Sequence, residues 1–92
     1  MEISFDPTKN EKNLRERGLS FERAAEFDFE SATFLVDDRL DYGEIRRIAI
    51  GYLDGRLHVL CFVETSGGIR IISFRKANRR EGNQHGKTLT LD

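Results

Sequence analysis

The sequence predicts an α+β fold: two N-terminal helices packed on a small antiparallel sheet, followed by a short C-terminal basic helix. Three observations predict it. Two helix-start signals, Asp6-Pro7 and Ser20, open the chain. Three runs rich in β-branched and aromatic residues then follow one another between Ile45 and Phe74, with turn residues between them. The last run leads directly into Arg75-Lys76-Ala77-Asn78-Arg79-Arg80-Glu81, where the character becomes basic.

Each element has a local reason. Ile3 and Phe5 flank Ser4 and read as a short first strand. Asp6 then caps free N–H groups and Pro7 loses no needed donor, so a helix runs to about Arg17 and stops at Gly18. Ser20 caps a second helix from Phe21 to about Phe27, whose apolar surface is Ala24, Ala25 and Phe27. Both helices are short, so tertiary packing must hold them. Ala32–Val36 reads as a strand and Asp37–Gly43 as a polar loop. Ile45–Leu53 and Arg56–Glu64 flank Asp54-Gly55, a pair that favours a type I′ hairpin turn. Ser66-Gly67-Gly68 makes the next turn, before a strand from Ile69 to Phe74. Apolar residues occupy both sides of these strands, so one face packs the helices and the other is covered or binds something. The last helix is expected to begin near Ser73 and to end at Gly82.

Ninety-two residues make a single domain, assigned to residues 1–81, with residues 82–92 read as a loosely ordered tail. One cysteine, Cys61, cannot form an internal disulfide, so a reducing and cytoplasmic location is expected. Charges interrupt the N-terminus, and no apolar run is long enough to span a membrane. The net charge of −1 hides an asymmetry: residues 1–44 hold twelve acids and six bases, residues 45–92 four acids and nine bases. Five of the fifteen bases lie between Arg70 and Glu81.

That cluster is the main candidate site. On a helix Arg75 and Arg79 would share a face, and on a strand Arg70 and Ile72 would point opposite to Ile71 and Ser73. Forked guanidinium donors match two phosphate oxygens, and like charges repel unless an anion separates them. The plainer reading is a solvated basic helix with weak surface ion pairs. Metal binding is poorly supported: His58 and Cys61 point to opposite faces, and the Asp37–Asp41 loop lacks calcium-loop spacing. Tyr52, Phe62 and Phe74 would stack bases if exposed, though core packing is the commoner use.

Five further signatures stand in order from residue 3 to residue 81: Phe5-Asp6-Pro7-x-Lys9, Asn13-Leu14-x-x-x-Gly18-x-Ser20-Phe21-x-x-Ala24, Gly43-Glu44-x-Arg46, Gly51, and Arg70-Ile71-Ile72-Ser73-x-Arg75-Lys76-Ala77-x-x-Arg80-Glu81. Together they resemble the BrnT toxins, the ribonuclease half of a bacterial type II toxin–antitoxin pair. The resemblance implies a RelE-like fold, an RNA substrate and neutralisation by a BrnA-like ribbon–helix–helix antitoxin. It also implies that the complex represses its own promoter, with DNA contacted only through the antitoxin.

A ribonuclease of this kind needs no metal or other cofactor in principle. The 2′-hydroxyl attacks the neighbouring phosphate, and preplaced cations stabilise the charge that develops. Arg70, Arg75 and Arg79 would form the catalytic clamp, and Lys9, Lys12, Lys76 and Arg80 would hold the substrate. The base stays open among His58, Glu44 and Glu81, with Glu64 a further candidate. Glu81 paired to its arginines, His58 half-buried in a strand and Glu44 paired with Arg46 are the structural alternatives. Two other functions remain beside the endoribonuclease: a catalytically weak nucleic-acid-binding or antitoxin-docking module, and a plain protein-interaction domain.

Overall fold

A computed structural model describes residues 1–91 of the chain. The elements are β1 (Glu2–Phe5), α1 (Pro7–Arg17), a 3₁₀ helix (Phe21–Glu26), β2 (Thr33–Asp37), β3 (Arg46–Leu53), β4 (Arg56–Glu64), β5 (Gly68–Lys76) and α2 (Arg79–Gln84). All five strands form one sheet in the order β1-β5-β4-β3-β2. β1 runs parallel to β5, and the remaining neighbours are antiparallel.

The sheet dominates, which corrects the expectation of two N-terminal helices packed on a small antiparallel sheet. α1 buries no residue, and its Leu14 is half exposed. A helix without an apolar stripe has nothing to press onto a sheet. α1 lies instead along the edge of β5, where Asn13 donates to the carbonyls of Phe74 and Leu19 at 2.9 Å. The second expected α-helix is a short 3₁₀ run that closes with a Phe27 N–H to Ala24 carbonyl bond. Six residues are too few for a self-supporting α-helix, and Phe27 is already extended.

The 3₁₀ segment supplies the layer over one face. Leu19, Phe21, Ala24 and Phe27 pack onto Ala49, Leu53, Leu60, Phe62, Ile71 and Phe74. Gly51 belongs there for steric reasons: a Cβ would lie 2.8 Å from the Phe27 ring and 2.9 Å from Ala32 Cβ. On the opposite face Ile50, Tyr52, Leu57, Val59 and Ala77 form a second, smaller cluster with Ile48 and Leu89 packed against it. Tyr52, Phe62 and Phe74 are therefore all buried, not free to stack bases.

The hairpin turn takes its expected form, with positive φ at both Asp54 and Gly55. β5 departs from expectation in two ways. It continues to Lys76, pairing Arg75 with Val59 and Lys76 with His58, so the last helix starts at Arg79 and not near Ser73. Asn78 is the reason for the later start, because it caps Glu81 N–H while Glu81 reaches back to Asn78 N–H. Arg75 and Arg79 therefore do not share a helical face. β5 also carries a bulge: Cys61 pairs with Ser73 but Phe62 pairs with Ile71, leaving Ile72 extra. The extra residue lets Ile71 and Phe74, three apart, both enter the core. It also moves Ser73 to the face of Arg70 and Arg75, correcting the simple alternation.

Gly82 does not end α2. It is buried inside the helix, where a Cβ would lie 2.6 Å from the Lys87 carbonyl oxygen, and the left-handed glycine is Gly86. Residues 82–91, expected to be a loosely ordered tail, run back over the second cluster. Leu57 N–H donates to the Leu89 carbonyl and Leu91 N–H to the Gly55 carbonyl, both at 2.8 Å, and Tyr52 Oη donates to the Thr88 carbonyl at 2.8 Å. α2 and this segment cover only part of that face; the end holding Arg46, Ile48, Ser73 and Arg75 stays open. Asp92 lies outside the described residues. Among the described residues no helix is long and apolar enough to cross a membrane.

Candidate nucleic-acid site

The bulge on β5 decides which charges meet. Arg70, Ser73 and Arg75 leave the open face of the sheet, and Arg46 joins them because its β3 neighbours Ile48 and Ile50 occupy that face. Strand ends at one edge of this surface supply Glu44 and Tyr42 from the preceding loop.

Arg70 places Nη2 2.8 Å from both carboxylate oxygens of Glu44. Glu44 Oε2 also lies 3.6 Å from Arg46 Nε. The Arg46 guanidinium sits 3.9 Å above the Tyr42 ring centroid, a cation–π contact. Its Nε is buried and has no hydrogen-bond partner among the described residues. Arg75 is held differently, in a forked pair with Glu81 at 2.9 and 2.7 Å.

These pairs set the carboxylates' chemistry. Arg70 holds the Glu44 carboxyl below its ordinary range, against the effect of partial burial. Arg75 holds Glu81 down at about 2, again against burial and helped by the Asn78 N–H. Asp37, buried at the end of β2, is held well below the carboxylate range by Arg39, with Tyr42 assisting. Carboxylates so stabilised in their charged form are weak proton acceptors.

Three adjoining depressions form the open surface. One of about 470 Å³ lies between β5, α2 and β2, with Arg46, Ser73, Arg75, Glu81 and His85 on its walls. A second, of about 270 Å³, brings Lys9 to Arg46 and Arg70. A third, of about 230 Å³, adds Lys12 beside Ser73. Ile72, the bulged residue, lines all three. Lys9 and Lys12 reach it because α1 lies against the edge of β5 that β1 leaves uncovered.

The sequence-predicted residues thus divide. Arg70, Arg75, Lys9, Lys12, Glu44 and Glu81 meet around the bulge. Arg79 lies elsewhere, in a groove with Asn83 and Gly86–Thr90. Arg80 is exposed on α2. Lys76 and His58 are on the 3₁₀ side of the sheet, lining a different cavity. His58 is buried against Phe74, and burial, with Arg56 and Lys76 nearby, lowers its affinity for a proton. It cannot reach a phosphate held by Arg70 and Arg75.

Two residues of the surface escaped sequence reasoning. Arg46 was visible in Gly43-Glu44-x-Arg46 but was read as a structural partner of Glu44. His85 fell in the segment read as tail; its signal was the spacing of four from Glu81, which places both on one side of a helical turn. Among the described residues no three His, Cys, Asp or Glu side chains converge as metal ligands.

Residues 5–81 match the family model described as the ribonuclease toxin BrnT of type II toxin–antitoxin systems. No curated protein matches the chain.

Proposed function

The chain belongs to the BrnT family of ribonuclease toxins of type II toxin–antitoxin systems, and from that membership we propose that it is an endoribonuclease whose active surface is the basic face around the β5 bulge. The observation that carries the reading is the convergence of Arg46, Arg70, Arg75 and Lys9 there.

The phosphodiester lies across Ile72 and Ser73 in this reading. Arg70 and Arg46 take non-bridging phosphate oxygens. Arg75 stabilises the pentavalent transition state, in which negative charge grows. Lys9 and Lys12 bind the flanking backbone as point charges. The 2′-hydroxyl attacks phosphorus, its proton leaves to a base, and the 5′-oxygen departs with a proton from an acid. Glu44 and Glu81 serve as counter-ions that hold the arginines in place. His85, on the wall of the depression that holds Ser73 and Arg75, transfers protons. The cations supply the charge stabilisation that a metal would otherwise give, so cleavage persists in EDTA.

The same reading makes the partner a small BrnA-like ribbon–helix–helix antitoxin that blocks the toxin in the cytoplasm and carries any DNA contact. Cleavage of RNA by the purified chain tests the enzyme. Arg46→Gln and Arg70→Gln are expected to lower kcat/KM by about 100-fold or more. Wild-type activity in both variants would sink the site, and no cleavage by the wild-type chain would leave only nucleic-acid binding or antitoxin docking.

A further inference from the structure

The opposite face of the sheet carries a second concentration of positive charge. A cavity of about 520 Å³ there is lined by Arg17, Arg23, Arg56, His58 and Lys76. Asp54 is the acid at its rim, and Arg23 already holds it at 2.6 Å while also pairing with Glu26. The Arg56 guanidinium is fixed by main-chain carbonyls, donating to Leu57 at 2.7 Å and Ala77 at 3.1 Å. Those contacts orient the group without neutralising it. Arg17 at the end of α1 and Lys76 at the end of β5 are exposed, and both face the same volume.

His58 forms the inner wall and is only 4% exposed. Its Nδ1 lies 2.7 Å from the Arg56 carbonyl oxygen. A carbonyl only accepts, so Nδ1 carries the hydrogen and the ring orientation is set. Nε2 remains for another partner. Leu19 and Leu53 complete the wall with apolar surface.

We propose that this cavity binds a phosphate monoester, with Arg17, Arg56 and Lys76 on the phosphoryl oxygens and a nucleoside-sized group against Leu19 and Leu53. The volume falls within the range of small-ligand sites. Three convergent cations in a confined space suit a compact dianion better than carboxylates spaced along a peptide. The proposal does not rest on RNA cleavage: Arg56, His58 and Lys76 lie on the 3₁₀ side of the sheet, and only Arg17, at the end of α1, also lines the depression that holds Lys12 and Ser73.

The His58 imidazole reports on the site. It faces Arg56 and Lys76, which disfavour protonation, and Asp54, which favours it, with Arg17 and Arg23 on the same walls. A bound dianion adds negative charge, so it must raise the pH at which His58 titrates. The experiment is NMR of the His58 ring in phosphate-free buffer on the full chain. Inorganic phosphate, adenosine 5′-monophosphate, adenosine, tetraglutamate and 2′-O-methyl oligoribonucleotides with a 5′-phosphate or a 5′-hydroxyl are added in turn. Phosphate and the monophosphate are expected to move the ring signals and raise the titration, and adenosine to leave them in place. A response to the 5′-phosphorylated oligonucleotide but not the 5′-hydroxyl one identifies an RNA end as a source; a response to the monophosphate alone identifies a free nucleotide. Arg17→Gln with Lys76→Gln, both at exposed positions, is expected to weaken binding of the monophosphate at least about tenfold. No response to phosphate or monophosphate, an equal response to tetraglutamate, or unchanged affinity in the double variant would overturn the proposal.

Discussion

Glu81→Gln separates the two roles of the residue that joins α2 to β5. Glutamine keeps an oxygen for the Asn78 N–H, so the capping box survives, but it removes the charge that Arg75 grips in a forked pair. A carboxyl whose ordinary pKa is 4.5 sits at about 2 in this fold. At about 1.4 kcal/mol per pH unit, the full difference is ~3 kcal/mol. Arg75 is 37% exposed, and solvent screening reduces the contribution to ~1–2 kcal/mol. The sign follows from the direction: a carboxyl with a depressed folded pKa adds stability above pH 4.5 and loses it as pH falls toward 2. Urea unfolding of both proteins at a series of pH values measures this. The variant is expected to lose ~1–2 kcal/mol at pH 7, and the gap is expected to close as pH approaches 2. With Arg75 released, RNA affinity at low salt is expected to rise several-fold. A gap that stays constant down to pH 2, or no gap at pH 7, would refute the ion-pair account.

Three further outcomes follow from the same geometry. His85→Asn is expected to lower cleavage by about 100-fold or more while leaving the Kd for non-cleavable RNA within about twofold; single-turnover rates and filter binding separate the two effects. Gly51→Ala drives a Cβ into the Phe27 ring and Ala32, so a loss of about 1–3 kcal/mol is expected in a thermal melt, with Tm falling by several degrees. Arg79→Ala touches neither the bulge nor its carboxylates, and cleavage is expected to stay within a few-fold of wild type; a loss as large as that of Arg70→Gln would move the active surface onto α2.

Much of the chain was legible because its local chemistry is unambiguous. Asp6-Pro7, Ser20 and Asp54-Gly55 each have one favoured backbone, and the strands around them appear within one or two residues of their expected ends. The weight of the sheet was harder to see. α1 has caps at both ends but no apolar stripe, and cap signals say where a helix stops without saying whether it packs. The bulge was invisible because Ile71-Ile72-Ser73-Phe74 reads as regular alternation until Phe62 and Cys61 show which residues they face. Arg75 followed from that error: with the strand ended early, it fell onto a helix and acquired Arg79 as a neighbour. His85 was lost through Gly82, which looks like a helix stop in sequence but is a close-packing residue under Lys87.

The counter-ions on the open face resolve a tension in the sequence. Arg46, Arg70 and Arg75 repel one another, and a fold that clusters them must hold them without the substrate present. Glu44 sits between Arg46 and Arg70, and Glu81 fixes Arg75, so the cations are oriented before any phosphate arrives. Such preorganisation has a cost: RNA must compete with the carboxylates for the same donors. The competition is uneven. Arg75 commits both terminal nitrogens to Glu81, whereas Arg70 contacts Glu44 only through Nη2 and Arg46 stands 3.6 Å from it, beyond hydrogen-bond distance. Ground-state binding should therefore begin at Arg46 and Arg70. Arg75 is held until charge grows on the phosphorane, when exchange of Glu81 for the more highly charged oxygen becomes favourable. An interaction gained only at that stage raises kcat and leaves KM nearly unchanged. Arg75→Gln should then lower kcat with little change in KM, and Arg46→Gln should raise KM as well. A rise in KM for Arg75→Gln equal to that for Arg46→Gln would show that Arg75 binds the ground state too.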